Sequence, residues 1–366
     1  MKKRNKVLKC IIFLLLGIFI FQTLTYIFVP KWIDYFDSSS ARLKGFYNEK
    51  RNTIDVLVVG NSDVGRGYSP ITVWNKYGIT SYNLGTSQQT MAFAYYLIKE
   101  AINYQNVKNI VLDMDAVFIN DPQEGQYRQF FDNMKFGKVK LEAINDEKLN
   151  IEEKEKLSYF FPMLRFHTRW NELKKDDFKF SLKDKYETLS YNGMALNVNI
   201  KPNKYDENYM EKGKKQEIPK KNLYYINEII KLCEEKNIQL LCVVIPSAIN
   251  GENKQNQPLY DWSISKSKEV ENITKEHGIE FIDFNLSQNI KKIELDWNRD
   301  SYDGGNHLNV YGAEKFSDYI GKVLSEKYNL EDHRNDKEIA DNWNETAKRY
   351  ENYKEKLEKD NINKEN

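Results

Sequence analysis

At the point that decides its fold, the chain reads Ile54-Asp55-Val56-Leu57-Val58-Val59-Gly60-Asn61-Ser62-Asp63. Similar β-rich apolar runs recur at 110–114, 239–246 and 279–283, and stretches with helical spacing of apolar residues lie between them. This alternation predicts a parallel sheet flanked by helices, an α/β fold. Because open parallel sheets bind ligands at the carboxyl ends of their strands, we expect Ser62 to lie at a functional site.

Three helices are predicted from apolar residues at positions i, i+3, i+4 and i+7. The first begins at Met91, the second covers 221–236 and the third covers 310–327. Residues 120–219 lack the strand–helix alternation, so we predict an inserted subdomain or lid there. The charged tail, 329–366, keeps an apolar stripe, which predicts a partly helical segment packed on the domain.

The N-terminus predicts a transmembrane signal anchor. Residues 1–9 are basic and contain no acidic residue, and the next twenty, 10–29, contain no charged residue. Twenty helical residues span about 30 Å, the thickness of the hydrocarbon layer. No small-residue cleavage site follows, as a secreted protein would need, and Cys10 precedes the position of a lipoprotein cysteine. The positive-inside rule predicts that 1–9 is cytoplasmic and the main domain extracytoplasmic.

The predicted organisation is therefore a cytoplasmic segment, an anchor and one extracytoplasmic domain with a tail. After the anchor we expect a juxtamembrane linker over 30–53 and the domain over 54–328. With 55 basic and 54 acidic residues, the chain has no basic excess that would favour nucleic acid. Its three cysteines are too few for a fold held together by several disulfides, and one bridge, between Cys233 and Cys242, is the most that could form.

No metal or cofactor is predicted. The cysteines and histidines lack the spacing of zinc ligands, and the glycine-rich stretch 60–65 lacks the Lys-Ser/Thr of a phosphate-binding loop.

A second block of polar residues, 300–309, supplies the partners that a serine nucleophile needs. A serine hydroxyl attacks efficiently only when a base takes its proton, and a carboxylate orients that base. We therefore predict Ser62 as the nucleophile, His307 as the general base and Asp303 as its orienting carboxylate. Asp300 is the alternative carboxylate.

Together the two blocks resemble those of the SGNH (GDSL-like) hydrolase superfamily. There a Gly-x-Ser follows the first strand and an Asp/His pair precedes the last helix; here Asp303 and His307 stand one residue further apart than in the family. The resemblance covers 54–118 and 238–328, and it implies a flavodoxin-like three-layer sandwich. It also implies an oxyanion site formed by the backbone N–H groups of Ser62 and of the glycine Gly85. The family's third block, Gly-x-Asn-Asp, is absent, and its position reads Leu112-Asp113-Met114-Asp115-Ala116-Val117-Phe118.

In lacking the third block and having an N-terminal anchor, the chain resembles a membrane-bound subgroup of the superfamily that modifies cell-surface polymers. Its members are the alginate and peptidoglycan O-acetylation proteins and the D-alanyl transfer protein of teichoic acid synthesis. The resemblance implies acyl transfer through an acyl-serine to a cell-surface glycan or polymer. It also implies an acetyl or D-alanyl group delivered by a multispanning membrane acyltransferase, and a glutamine, Gln88 or Gln89, at the oxyanion site. Two alternatives stay open: an esterase with the same residues, and a catalytically silent glycan-binding or assembly protein.

Three further residues are candidates for substrate binding. Arg66 follows Ser62 closely and could hold an anionic group of the acceptor, or serve as a surface salt-bridge partner. His167 and Trp170 lie in an aromatic, basic segment of the insert. That segment could line the mouth of the active site or simply pack in the core.

Overall fold

A five-stranded, fully parallel sheet forms the centre of the molecule. The computed structural model describes residues 2–30, 39–119, 122, 124–179, 191–203, 216–248 and 263–365. The strands are β1 (Val56–Val59), β2 (Ser81–Asn83), β3 (Asn109–Asp113), β4 (Gln239–Val244) and β5 (Glu280–Asp283). They lie in the order β2-β1-β3-β4-β5, which is the flavodoxin-like order of doubly wound sheets.

Both faces of the sheet are covered, as a parallel sheet requires. Side chains alternate along β1, so Leu57 and Val59 join one apolar cluster and Val56 and Val58 join the other. All four are inaccessible to solvent. The predicted α/β fold class is therefore confirmed.

Helices occur before, within and after the insert, and the helices of the insert are short. In chain order they are α1 (Lys2–Phe28), α2 (Ser39–Phe46), α3 (Ser62–Gly67), α4 (Pro70–Tyr77), α5 (Met91–Ala101), α6 (Glu124–Asn133), α7 (Lys138–Ile144), α8 (Glu153–Phe160) and α9 (Met163–Phe166). After the insert follow α10 (Lys220–Lys236), α11 (Ile264–Glu276), α12 (Ser287–Lys292), α13 (Val310–Lys327) and α14 (Lys337–Glu365). Single 3₁₀ turns cover Asp115–Phe118, Glu147–Leu149, His167–Asn171, Lys175–Phe178 and His333–Asn335.

The four predicted strands and three predicted helices all occur, but β2 was not expected. Its three residues, Ser81-Tyr82-Asn83, do not form an apolar run, because the side chains of Ser81 and Asn83 make hydrogen bonds within the fold. Ser81 Oγ lies 2.9 Å from the hydroxyl of Tyr68, and the Asn83 amide donates to the backbone oxygens of Val64 and Tyr68. A strand at the edge of the sheet that bonds on one side only can be this short.

The segment expected to be a linker, 30–53, contains a packed helix. Leu43 and Phe46 of α2 are buried in the core, so the packed part of the chain begins before Ile54. The two cysteines that could have paired, Cys233 and Cys242, are buried free thiols.

The helix α14 contains the apolar stripe of the tail. Trp343 packs on Trp74 with ring centroids 5.3 Å apart, and the hydroxyl of Tyr350 donates to Glu314 at 2.9 Å. At the other end of the chain, residues Asn5–Phe28 of α1 form a helix that is long and apolar enough to cross a membrane and is not buried in the domain.

Candidate active site

Ser62 begins α3 directly after the turn that ends β1. Asn61 caps this helix, because its side-chain oxygen accepts the backbone N–H of Asp63 at 2.7 Å. The turn needs glycine at position 60, since an added Cβ would lie 2.5 Å from the Cβ of Asp113 on β3. Ser62 is thereby placed at the carboxyl end of β1, beside the point where the strand order reverses between β1 and β3.

A continuous chain of hydrogen bonds joins the three predicted catalytic residues. His307 Nε2 lies 2.9 Å from Ser62 Oγ, and His307 Nδ1 lies 2.6 Å from Asp303 Oδ2. The other oxygen of Asp303 accepts the backbone N–H of His307 at 2.8 Å. The carboxylate therefore holds both the ring and the backbone of the histidine, with the ring nitrogen that faces Ser62 left to act as base.

Two glycines accommodate the extra residue between Asp303 and His307. Gly304 and Gly305 have φ angles of +88° and +100°, a region that other residues rarely adopt. The hydroxyl of Ser301 accepts the backbone N–H of Gly305 at 2.6 Å, which closes the loop. The loop can therefore be one residue longer and still bring the carboxylate onto the ring.

Asp300, the alternative carboxylate, has a different partner. It is fully buried, and its Oδ2 lies 2.7 Å from the ammonium of Lys315 and 2.7 Å from the backbone nitrogen of Asp296. The structure thus places Asp303, and not Asp300, against the histidine ring.

The charges around His307 favour its protonated form. Burial of the ring opposes the charge, but the hydrogen bond that the ring donates to Asp303 and the charges of Asp63 and Asp303 outweigh burial and raise the pKa of His307 above its usual value. For Asp303, burial acts to raise the pKa, but the bonds from His307 prevail and lower it. The pair is therefore suited to store a proton taken from Ser62.

Three carboxylates near the serine, of which Asp63 and Asp113 are buried, were not singled out as functional from the sequence. Asp63 Oδ1 lies 3.9 Å from His307 Nε2, and burial raises the pKa of Asp63 to about 7. Asp115 accepts a hydrogen bond from the Asn61 amide at 2.8 Å, and burial raises the pKa of Asp113. For Asp113 and Asp115 the signal was their position at and just after the end of β3, where the third block of SGNH hydrolases would lie. Within the described ranges, no group of three such side chains is arranged to hold a metal ion.

Two of the predicted oxyanion donors are engaged inside their own loop. The N–H of Gly85 donates to the Asn83 side chain at 3.0 Å, and the Gln89 amide donates to Leu84 O and to Thr86 Oγ1, both at 2.9 Å. Gly85 does pack against α3, because an added Cβ would lie 2.3 Å from the backbone nitrogen of Gly65.

The remaining predicted donors are Gln88 and the backbone of Ser62. Gln88 is exposed on the same loop and adopts a φ of +48°. The backbone N–H of Ser62 occupies the first helical position, which has no acceptor within the helix.

Arg66 lies beside the catalytic loop. The ring of Tyr302 stacks on His307 with centroids 5.8 Å apart and planes inclined by 14°. The guanidinium carbon of Arg66 lies 5.7 Å from the centre of the same tyrosine ring. Arg66 and His307 thus both lie beside the ring of Tyr302.

His167 and Trp170 lie elsewhere, on the part of the insert that contacts α1. His167 Nδ1 is 2.9 Å from the backbone oxygen of Leu164, and Trp170 is 71% exposed. In the described parts of the chain, neither residue makes a hydrogen bond or ring contact with Ser62, Asp303 or His307. Their role in substrate binding receives no support from this placement.

No protein-family model matches the chain, and no curated protein matches it. Among solved structures, it is similar to a protein from Bacteroides fragilis described as a "putative acylhydrolase". The two chains are 11% identical, the match covers 81% of this chain and 98% of that chain, and the TM-score is 0.36. A likeness this distant identifies neither the family nor the activity of this chain, so its function is inferred from the site itself.

Proposed function

We propose that the chain is a membrane-anchored serine enzyme that transfers acyl groups, of the SGNH-like kind. The observation that supports this proposal is the chain of hydrogen bonds from Ser62 through His307 to Asp303. It provides a nucleophile, a base in direct contact with it and a carboxylate that orients the base, at the end of the sheet where ligands bind.

In the first step His307 Nε2 takes the proton of Ser62 Oγ as that oxygen attacks the acyl carbonyl carbon. The tetrahedral intermediate collapses, the bond from the carbonyl carbon to the leaving oxygen breaks, and His307 returns the proton to that oxygen. In the second step His307 takes the proton of the acceptor hydroxyl as its oxygen attacks the carbonyl carbon of the acyl-serine. The bond from that carbon to Ser62 Oγ then breaks, and His307 Nε2 returns the proton to Oγ. Asp303 stabilises the imidazolium in both steps and keeps its own charge.

We propose a cell-surface glycan or polymer as the acceptor, since an anchor over residues 10–29 would hold the domain beside the membrane. In this proposal residues 1–9 are cytoplasmic, the domain is extracytoplasmic, and a multispanning acyltransferase delivers an acetyl or D-alanyl group. Arg66, one ring away from His307, would meet an anionic group of the acceptor.

The proposal is tested by following the fate of an acyl group. The full-length protein in detergent is given an activated acetyl ester with and without an O-deacetylated cell-wall glycan, and both acetyl-glycan and free acetate are measured. A transferase makes acetyl-glycan and an esterase makes only acetate. If neither product exceeds that of Ser62→Ala, the enzymatic proposal fails.

A further inference from the structure

The insert packs beside the last turns of α1. The rings of Phe21 and Phe161 have centroids 6.1 Å apart, and the hydroxyl of Tyr26 donates to Lys179 O at 2.6 Å. Nearer the end of the helix, the guanidinium of Arg169 donates to the backbone oxygen of Phe28. The insert segment 161–179 therefore follows the helix lengthwise, with Phe161 furthest from its C-terminal end.

The side chains of the insert near this contact are apolar and open to solvent. Their exposed fractions are Phe136 82%, Phe161 45%, Leu164 49%, Trp170 71% and Phe178 54%. We call these five residues the insert apolar face. Exposed aromatic and aliphatic side chains grouped in this way mark a surface that binds another apolar phase.

A cleft of about 780 Å³ separates the helix from the insert. One wall consists of α1 between Phe13 and Tyr26, and the other includes Phe136, Phe160 and Phe161. Both walls are almost entirely apolar, and the cleft runs along the helix in the direction in which lipid acyl chains lie in a bilayer.

The depth of Phe161 follows from the length of α1. Phe21 precedes Phe28 by seven residues, or about 10 Å along the axis. A hydrocarbon layer of about 30 Å around the apolar helix Asn5–Phe28 therefore includes Phe21, and with it the ring of Phe161.

The residues near the C-terminal end of α1 are of the types found at the depth of the lipid headgroups. Arg169 bonds the backbone of Phe28 there, and Trp170 and the exposed Lys174 and Lys175 belong to turns that also contact α1. Tryptophan and basic side chains are enriched at this level of membrane proteins. A leaflet thus offers each of these groups a matching environment, an apolar one for Phe161 and Leu164 and a polar one for the cations.

We propose that the insert apolar face is embedded in the bilayer leaflet on the domain's side and that lipid acyl chains fill the cleft beside α1. The inference rests on the proposed membrane anchoring. The catalytic domain is then held against the membrane at two places, by α1 and by the insert, and its orientation to the bilayer is fixed.

The test uses the full-length protein in liposomes and an environment-sensitive fluorophore on single cysteines. Leu164→Cys and the control Lys231→Cys, on the exposed side of α10, are made in a Cys10→Ser background, where Cys233 and Cys242 are buried. A third sample is labelled on the native Cys10 within α1. Each is exposed to lipids with nitroxide on the acyl chain and, separately, to aqueous iodide, after melting curves show that the variants are folded.

We expect nitroxide lipids to quench the labels at positions 164 and 10, and iodide to quench only the label at 231. Quenching at 10 by nitroxide together with quenching at 164 by iodide would overturn the inference and leave the anchor intact. A label at 164 that neither agent reaches would place a protein there and would also overturn it. Iodide quenching at both 10 and 164 would contradict the anchor itself.

Discussion

The guanidinium of Arg42 lies inside the domain, with its Nη2 atom 3.0 Å from the backbone oxygen of Gly65, within the helix that begins at Ser62. The same side chain donates to the backbone oxygens of Gly85 and Gly193. One side chain of α2 thus joins the Ser62 helix, the loop after β2 and a segment of the insert. Arg42 is a positioning residue for Ser62, not a group that touches the substrate.

We expect Arg42→Lys to lower the free energy of unfolding by about 2–4 kcal/mol. A single ammonium lacks the guanidinium's planar set of donors, so buried carbonyl oxygens lose their partners. Denaturant unfolding of the full-length protein in detergent measures the change. Arg51→Lys, at an exposed arginine, is the control and should change the stability by less than about 0.5 kcal/mol. Equal stability of the two variants would show that the three contacts contribute nothing.

We expect substitution of Asp303 to affect mainly the reaction rate and substitution of Asp300 to affect mainly the stability. We expect Asp303→Asn to reduce the rate of ester consumption by about 10²–10⁴-fold, because His307 loses the group that orients it, with little change in stability. Asp300→Asn should instead destabilise the fold by about 1–3 kcal/mol, since Lys315 is left without its charge partner but is partly solvated. Rates and unfolding curves of both variants test this assignment, and the reverse pattern would show that it is wrong.

The rate should rise with pH as His307 loses its proton, because only the neutral ring can accept the proton of Ser62. The charge of Asp63 contributes to raising the pKa of His307. We therefore expect Asp63→Asn to move the acidic limb of the kcat/KM profile to lower pH, by up to about 1 unit, and Asp318→Asn at a surface pair to leave it in place. Since burial raises the pKa of Asp63 to about 7 and the charges of Asp63 and His307 interact, the limb in the native protein belongs to both groups. A shift to higher pH would contradict this account of the site's charges.

The tail helix should contribute strongly to stability through one tryptophan. Trp343 is 1% exposed and packs on Trp74, so Trp343→Ala should lower the free energy of unfolding by about 3–5 kcal/mol. Lys356→Ala, at an exposed position of the same helix, should change it by less than about 0.5 kcal/mol. Similar unfolding midpoints for the two variants would mean that α14 is not part of the cooperative unit.

The sequence was sufficient for four of the five strands and for the three residues joined by hydrogen bonds, because both depend on local patterns. The apolar run before Gly60 predicts β1, and a serine after such a strand must lie at the end of the sheet where Asp303 and His307 also arrive. β2 was missed because Ser81 and Asn83 are polar for reasons of tertiary contact.

Arg42 and the oxyanion loop could not be predicted in this way. Arg42 is stable in the core only because segments far apart in the chain offer it backbone oxygens, and no local pattern encodes such a meeting. The motif pointed to Gly85 as a donor, but its N–H bonds to Asn83, two residues earlier. Whether a glycine fits a motif is a local property, whereas the acceptor of its N–H group depends on the fold.

The most direct test of the central claim is to find the acyl group on Ser62. The full-length protein is mixed with an activated acetyl ester, quenched rapidly and examined by intact mass and peptide mapping, beside His307→Ala and Asp300→Asn. We predict one acetyl group on Ser62 in the native protein and in Asp300→Asn, and none in His307→Ala. If the ester is consumed while Ser62 stays unmodified, or if His307→Ala acylates as fast as the native protein, Ser62 is not a nucleophile activated by His307.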